Sequence, residues 1–238
     1  MNPREIYFLK EPQREAKPLI ECKAVFFDMD GTLIAGQNTW RALFEKKGGL
    51  NENIQMKSKF LRGEYHTYMD WTNAKCEWLK QHGLTKSEFE EVINNQPITI
   101  GAKGAISALN ERGCKTFIIS GGSVALVERL KKELGFDEVV AHCELIFDKG
   151  RKLDTWKLTP SDREDKVTVF NRLISKYGIK PLECAYVGDA ENDKEVFDIV
   201  GAPIIFNSKK KEDLVTSAFL SSDEHNLRLA LKSIGLIH

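Results

Sequence analysis

The sequence predicts an α/β fold with a mostly parallel sheet and a helical insertion after the first strand. Three observations predict it. The apolar runs "KAVFFD", "CKTFIIS", "ECAYVGD" and "APIIFN" are nearly continuous, as in strands covered on both faces; a half-exposed strand would alternate. Segments of helical period lie between them and end on glycine. The stretch 37–96 shows helical periodicity and no strand-like run.

Taken in order, residues 1–20 form a charged, proline-punctuated extension, with no apolar core long enough for a signal peptide. Residues 21–35 and 98–238 form the sheet-bearing core, and residues 36–97 the inserted domain. "KAVFFD" is the first strand. The insertion carries amphipathic helices in "TWRALFEKKG", "MDWTNAKCEWLKQHG" and "TKSEFEEVINN". The second of these sets Trp71, Ala74, Trp78 and Leu79 on one face. Its aromatic residues, with Trp40, Tyr65 and Tyr68, read as packing. Arg62 is the insertion's candidate contact for a substrate carboxylate or phosphate, since a guanidinium suits either.

The core resumes with the helix "GAKGAISALNERG", ending on Gly113. After "CKTFIIS" comes "SVALVERLKKELG", read as one helix ending on Gly135. "AHCELIFDKGRKLDTWKL" reads as a hairpin turning on Asp148-Lys149-Gly150. "DREDKVTVFNRLISKYG" is a further helix, and Lys209 to Lys211 a solvated loop.

Charge narrows the partners. The 238 residues hold 35 Lys and Arg against 35 Asp and Glu, so neither nucleic acid nor an acidic membrane is an expected partner. No apolar run approaches a membrane span. Five scattered cysteines with no CxxC pair read as buried, reduced thiols, which points to a cytoplasmic protein. His66, His82, His142, His225 and His238 show no ligand spacing and read as structural or surface residues.

The polar residues that close the strands carry the chemistry. In open α/β sheets ligands bind outside the carboxyl ends of the strands. The first run ends on Asp28, the second on Ser120 with Gly121 and Gly122, and a later one on Gly188-Asp189. Asp28 and Asp189 offer hard oxygen ligands to Mg²⁺, and a cation there relieves the repulsion between neighbouring carboxylates. "IISGGS" can open a helix whose N–H groups and Ser120 hydroxyl face an anion. Asp193, near the start of the next helix, can hold Asp189, a water or a lysine in place. Lys166 can bring positive charge to a phosphoryl oxygen. "DMDG" is not the start of an EF-hand calcium loop, because the sixth and twelfth positions are Leu33 and Thr39.

Together these residues resemble the four motifs of the haloacid dehalogenase-like phosphotransferases. "DMDGT" matches the first motif (Asp28, Asp30, Thr32), "FIISGG" the second (Ser120), Lys166 the third and "GDAENDKEVF" the fourth (Asp189, Asn192, Asp193). The resemblance runs from about Lys23 to the C-terminus. It implies a Rossmann-like core with a helical cap, most similar to the phosphoserine phosphatases. It implies that Asp28 is the nucleophile, forming an aspartyl-phosphate, and that Asp30 is the proton carrier. Mg²⁺ would be bound by the Asp28 carboxylate, the Asp30 carbonyl and Asp189, with Ser120 and Lys166 offsetting phosphoryl charge. The implied substrate is a small phosphorylated metabolite.

Two departures separate that chemistry from serine specificity. Gly31 stands where phosphoserine phosphatases have serine. "LIAGQNTW" carries Gln37 and no glutamate to meet a substrate amine. A phosphomutase or phosphotransferase would use the same intermediate. A non-catalytic binding protein would be expected to have lost a motif carboxylate, and none is lost.

Overall fold

The computed structural model describes residues 22–162, 164–208, 220–222 and 225–237. The N-terminal extension, Lys209 to Lys211 and His238 lie outside the described residues. Seven strands form one sheet: β1 (Ala24–Phe27), β2 (Lys115–Ser123), β3 (Glu138–Phe147), β4 (Leu153–Leu158), β5 (Cys184–Gly188), β6 (Ala202–Phe206) and β7 (Leu220–Ser222). Their spatial order is β4-β3-β2-β1-β5-β6-β7. Every neighbouring pair is parallel except β3 with β4.

The strand order reverses at β1, which places a ligand crevice at its carboxyl end. All four β1 residues are buried, because both faces are covered. Phe26 points into one core, where its ring stacks on Phe117 at 4.6 Å and tilts against Phe170 at 4.7 Å. Phe27 points into the opposite core, which extends under the insertion. This is why the run does not alternate.

Helices α1 (Thr39–Lys46), α2 (Leu50–Leu61), α3 (Tyr68–Gln81) and α4 (Lys86–Asn95) lie between β1 and the return to the core. Side-chain caps set the starts of α1, α3 and α4. Asn38 accepts from the Arg41 N–H, and Thr67/Asp70 and Thr85/Glu88 form capping boxes. The core adds α5 (Ala102–Glu111), α6 (Val124–Leu130), α7 (Glu164–Tyr177), α8 (Lys194–Phe197) and a last helix, Leu227–Ser233.

Three local readings change, and one helix, α2, is new. "SVALVERLKKELG" is not one α-helix: α6 ends at Leu130 and Lys131–Gly135 is a π turn. "IISGGS" does not open a helix at the glycines, since β2 runs through them to Ser123 and its pairing with β3 shifts there. α2 buries no residue, so it has no apolar stripe to read. α3 fully buries Thr72, Lys75, Cys76 and Leu79, while Trp71, Ala74 and Trp78 are half-buried. The buried face is rotated from the one expected and includes Lys75.

The hairpin turns at Asp148-Lys149-Gly150. The Arg151 N–H donates to the Asp148 carbonyl at 3.0 Å, and Arg151 itself takes the left-handed conformation at φ 60°. The insertion rests on this hairpin. Trp156 Nε1 donates to Asn73 Oδ1 at 2.7 Å, and the Leu153 N–H to the Leu84 carbonyl at 2.8 Å. On the other side Arg129 of α6 donates to the carbonyls of Ile93 and Gln96. The insertion is therefore closed onto the core. Among the described residues no helix is long and apolar enough to cross a membrane.

Candidate active site

β1 and β5 pair through Phe27 and Val187, so Asp28 and Asp189, which follow them, emerge side by side. Oxygens of Asp28, Asp189 and Asp193 all lie within 4.8 Å of one another. Asp193 ends a short 3-10 turn, Glu191–Asp193, before α8. Its carboxylate is fully occupied. One oxygen accepts from Lys166 Nζ at 2.6 Å and Tyr186 OH at 2.9 Å; the other accepts the N–H groups of Asp189 and Ala190, each at 3.2 Å.

Lys166, on the first turn of α7, bridges the cluster. Its ammonium is completely buried and donates to Asp28 Oδ1 at 2.7 Å as well as to Asp193. Burial works against this charge, but Asp193 and Asp28 outweigh it and hold Lys166 well above the ordinary lysine range. One cation thus faces three carboxylates. Burial pushes Asp28 well above the usual carboxylate range, with Asp193 and Asp189 adding to it and Lys166 opposing. Burial and then Asp193 push Asp189 up to about 7. Surplus negative charge in a buried oxygen cluster is the electrostatic signature of a cation site.

Asp30 is half-buried, with its Oδ1 shielded from solvent. Burial pushes its carboxyl up to about 6, against the Thr39 backbone N–H and Lys75, and its Oδ1 has no partner. Asp28 thus lies against an ammonium, whereas Asp30 has no ion-pair partner among the described residues.

Gly31 has φ 90°, and a Cβ there would fall 2.2 Å from Asp189 Oδ2; only glycine lets β1 turn this close to Asp189. Thr32 is buried and donates to Asp189 Oδ1 at 3.3 Å. Ser120 is buried at the end of β2, where its Oγ accepts the Gly122 N–H at 3.0 Å. A Cβ on Gly122 would lie 3.2 Å from both Ser120 Oγ and Asp30 Oδ2, so this glycine marks where the two strand ends meet. Gly121 accepts at its carbonyl from Tyr68 OH of α3 at 3.0 Å, tying the insertion to the site. Asn192 Nδ2 donates to Asp162 Oδ1 at 2.6 Å.

Arg62 is not drawn into this cluster by any of its contacts. It caps α2 on the surface, bonded to Glu64 and Ser58. Gln37 is exposed and donates to Glu45. Four residues escape a reading of the sequence alone. Asp162 stands four residues before Lys166, and that spacing is the one signal available for it. Tyr186 hides in an apolar strand. Tyr68 and Lys75 lie in a helix whose buried face is obscured by that lysine.

Comparison with known proteins agrees with this geometry. Residues 22–197 match the haloacid dehalogenase-like hydrolase family. A phosphoserine phosphatase from Streptococcus thermophilus is 31% identical over 185 residues, 76% of this chain and 82% of that protein. One from Archaeoglobus fulgidus is 29% identical over 191 residues, 80% of this chain. The chain spans 54% of that relative's length. A substrate-bound phosphoserine phosphatase structure superposes with TM-score 0.75 at 25% identity, covering 89% of this chain and 97% of that one. A phospho-aspartyl intermediate analogue of phosphoserine phosphatase matches with the same score and identity. With the family matched across most of its length and the relatives agreeing in sequence and fold, the chain belongs to the haloacid dehalogenase-like hydrolases, as a phosphatase of the phosphoserine phosphatase branch.

Proposed function

We propose that this protein is a Mg²⁺-dependent phosphatase that hydrolyses a small phosphorylated metabolite through an aspartyl-phosphate on Asp28. The observation that carries the reading is the contrast between the two motif acids. Burial raises both carboxyls, but Asp28 contacts the Lys166 ammonium at 2.7 Å, whereas Asp30, raised to about 6, makes no such contact. A nucleophile must be anionic and a general acid must hold a proton. Lys166 opposes the rise that burial imposes on Asp28 and orients its carboxylate, and a bound cation would favour the anionic form further. Asp30, two residues along the same chain, protonates the leaving oxygen. It then takes a proton from the water that hydrolyses the acyl phosphate.

The donor set fits Mg²⁺. Asp28 and Asp189 offer hard carboxylate oxygens beside a fully bonded Asp193, and the Asp30 carbonyl follows Asp28 in the chain. When bound, the cation would offset charge on the transferring phosphoryl group. Ser120 and Lys166 supply hydrogen bonds to the same oxygens, and Thr32, Asp189 and Asp193 hold the frame. Gly121 and Gly122 leave the end of β2 open for close approach.

Phosphate release over a panel of monoesters, with Mg²⁺ and with EDTA, tests this. Turnover should require the metal and should vanish in Asp28→Asn. Absence of metal-dependent release from every monoester, or an active Asp28→Asn, contradicts the reading.

A further inference from the structure

Two thiols face each other across the boundary between the insertion and the core. Cys76 lies on the buried face of α3 with Thr72 and Leu79. Cys143 lies on β3, where it pairs with Ser123 at the end of β2. Their sulfurs are 3.6 Å apart, both side chains are buried, and both thiols are free. The two residues stand 67 positions apart in the chain, so only the seating of the insertion brings them together. A disulfide needs about 2.05 Å between its sulfurs, so side-chain rotations that close about 1.5 Å would join them.

Buried thiols are often packing residues and nothing more. These two differ because the boundary between them has to open. Asp28, Ser120 and Lys166 are buried, and Tyr68 of α3 is bonded to the Gly121 carbonyl beside Ser120. A substrate reaches these groups when α3 lifts from the strand ends, a motion of the kind that gates many enzymes. The contacts across the boundary include hydrogen bonds, Trp156 to Asn73 and Arg129 to the Ile93 carbonyl among them, which break and re-form. A covalent bond at Cys76 and Cys143 would not. In the closed form the pair is inert. Its bond with Cys143, and then burial, hold the Cys76 thiol far above the ordinary thiol range, against Lys75, and the reactive species is the thiolate. Opening removes both restraints, so the motion that admits substrate also exposes the thiols to an oxidant.

We propose that Cys76 and Cys143 are an oxidation site, and that the disulfide they form fastens the insertion onto the core and switches turnover off. The proposal goes beyond the phosphatase reading and rests on it only for the activity readout. The oxidant is a hydroperoxide. In the open form one thiolate attacks a peroxide oxygen; the O–O bond breaks, and the sulfur becomes a sulfenic acid. The released hydroxide takes up the proton that the thiol had lost and leaves as water. When the insertion closes, the second sulfur attacks the sulfenic sulfur. Its proton leaves with the displaced hydroxide as a second water. Two thiols and one hydrogen peroxide thus give one disulfide and two waters, with two electrons passing from sulfur to oxygen. A dithiol reverses the bond by thiol–disulfide exchange.

The test titrates the full chain, reduced and with Mg²⁺, against hydrogen peroxide. Unreduced peptides are mapped by mass, and turnover is measured on whichever monoester of the panel is hydrolysed fastest. A linked Cys76–Cys143 peptide should appear. Vmax should fall in proportion to the linked fraction, by about tenfold near full linkage, while KM stays constant, because a fastened molecule admits no substrate. Dithiothreitol should restore Vmax once the linked peptide is gone. Cys76→Ala and Cys143→Ala should each turn over like the reduced protein and keep that activity at the same peroxide dose. Three results overturn the proposal: no linked peptide at doses that oxidise the half-buried Cys22, linked protein that turns over at full rate, or Ala variants inactivated as fast as the unsubstituted protein. Should one variant not fold, the other decides; should neither fold, the proportion between linkage and Vmax decides. Release of phosphate from no ester overturns the phosphatase reading alone, and the fastening then stands or falls on the linked peptide.

Discussion

Asp28 and Asp30 are separated by one residue and both are raised by burial, yet only Asp28 is paired directly with a cation. Asp28 meets Lys166, while Asp30 is raised to about 6 by burial. The acid role predicts a pH dependence with a definite sign. Asp30 is protonated below about 6 and loses its proton above, so turnover of an alkyl phosphate, whose leaving oxygen needs that proton, should fall as pH rises through this range. Turnover of p-nitrophenyl phosphate, a far better leaving group, should fall less over the same interval. Parallel pH profiles of kcat for the two esters would contradict the assignment. Asp28, Asp30, Asp189 and Asp193 were legible in the sequence because each closes or follows an apolar run. Lys75 was not, because a lysine on a helix is ordinarily read as solvated; only the packing of Trp40 and Trp71 around it shows otherwise.

At the scale of elements, the site depends on β1 being held from both faces. Phe26 is fully buried between Phe117 and Phe170, and removing its ring opens a cavity two residues before Asp28. Phe26→Ala should destabilise the protein by about 3–5 kcal/mol, read as a lowered urea midpoint at an unchanged slope; a loss under about 1 kcal/mol would mean that the two-faced core is not what fixes β1. The four apolar runs declared their strands because burial on both faces leaves a simple signature. α2 and the π turn at Lys131–Gly135 left none. α2 buries nothing, and the turn lies within one unbroken helical period. The path of β2 through Ser120, Gly121 and Gly122 was also hidden, since paired glycines ordinarily mark the end of a strand.

For the whole molecule, the acid cluster links pH, metal and stability. Asp30 and Asp189 have folded values raised to about 6 and about 7, above those of an unfolded chain. Such groups favour the folded state most at low pH and lose that contribution as pH rises through the raised values. The metal-free protein should therefore lose stability between about pH 4, where an unfolded aspartate titrates, and about pH 7. Mg²⁺, by occupying the cluster, should raise Tm more at pH 8 than at pH 5, with each kcal/mol worth about 2–4 °C in a protein of this size. An equal Mg²⁺ shift at both pH values would separate the metal from these carboxylates. The core topology was legible from strand-ending polar residues. The closed seating of the insertion was not, because it rests on contacts such as Tyr68 to Gly121 and Trp156 to Asn73 that join residues far apart in the chain.

The central claim, an acyl phosphate on Asp28, is open to direct chemical capture. Turnover is quenched in acid, the protein is reduced with borohydride, which converts an aspartyl-phosphate to homoserine, and its peptides are weighed. The account predicts homoserine at position 28 and unchanged aspartate at positions 30, 189 and 193. Homoserine at one of those three positions, or none anywhere in protein quenched while turning over a substrate whose acyl phosphate accumulates, would contradict it.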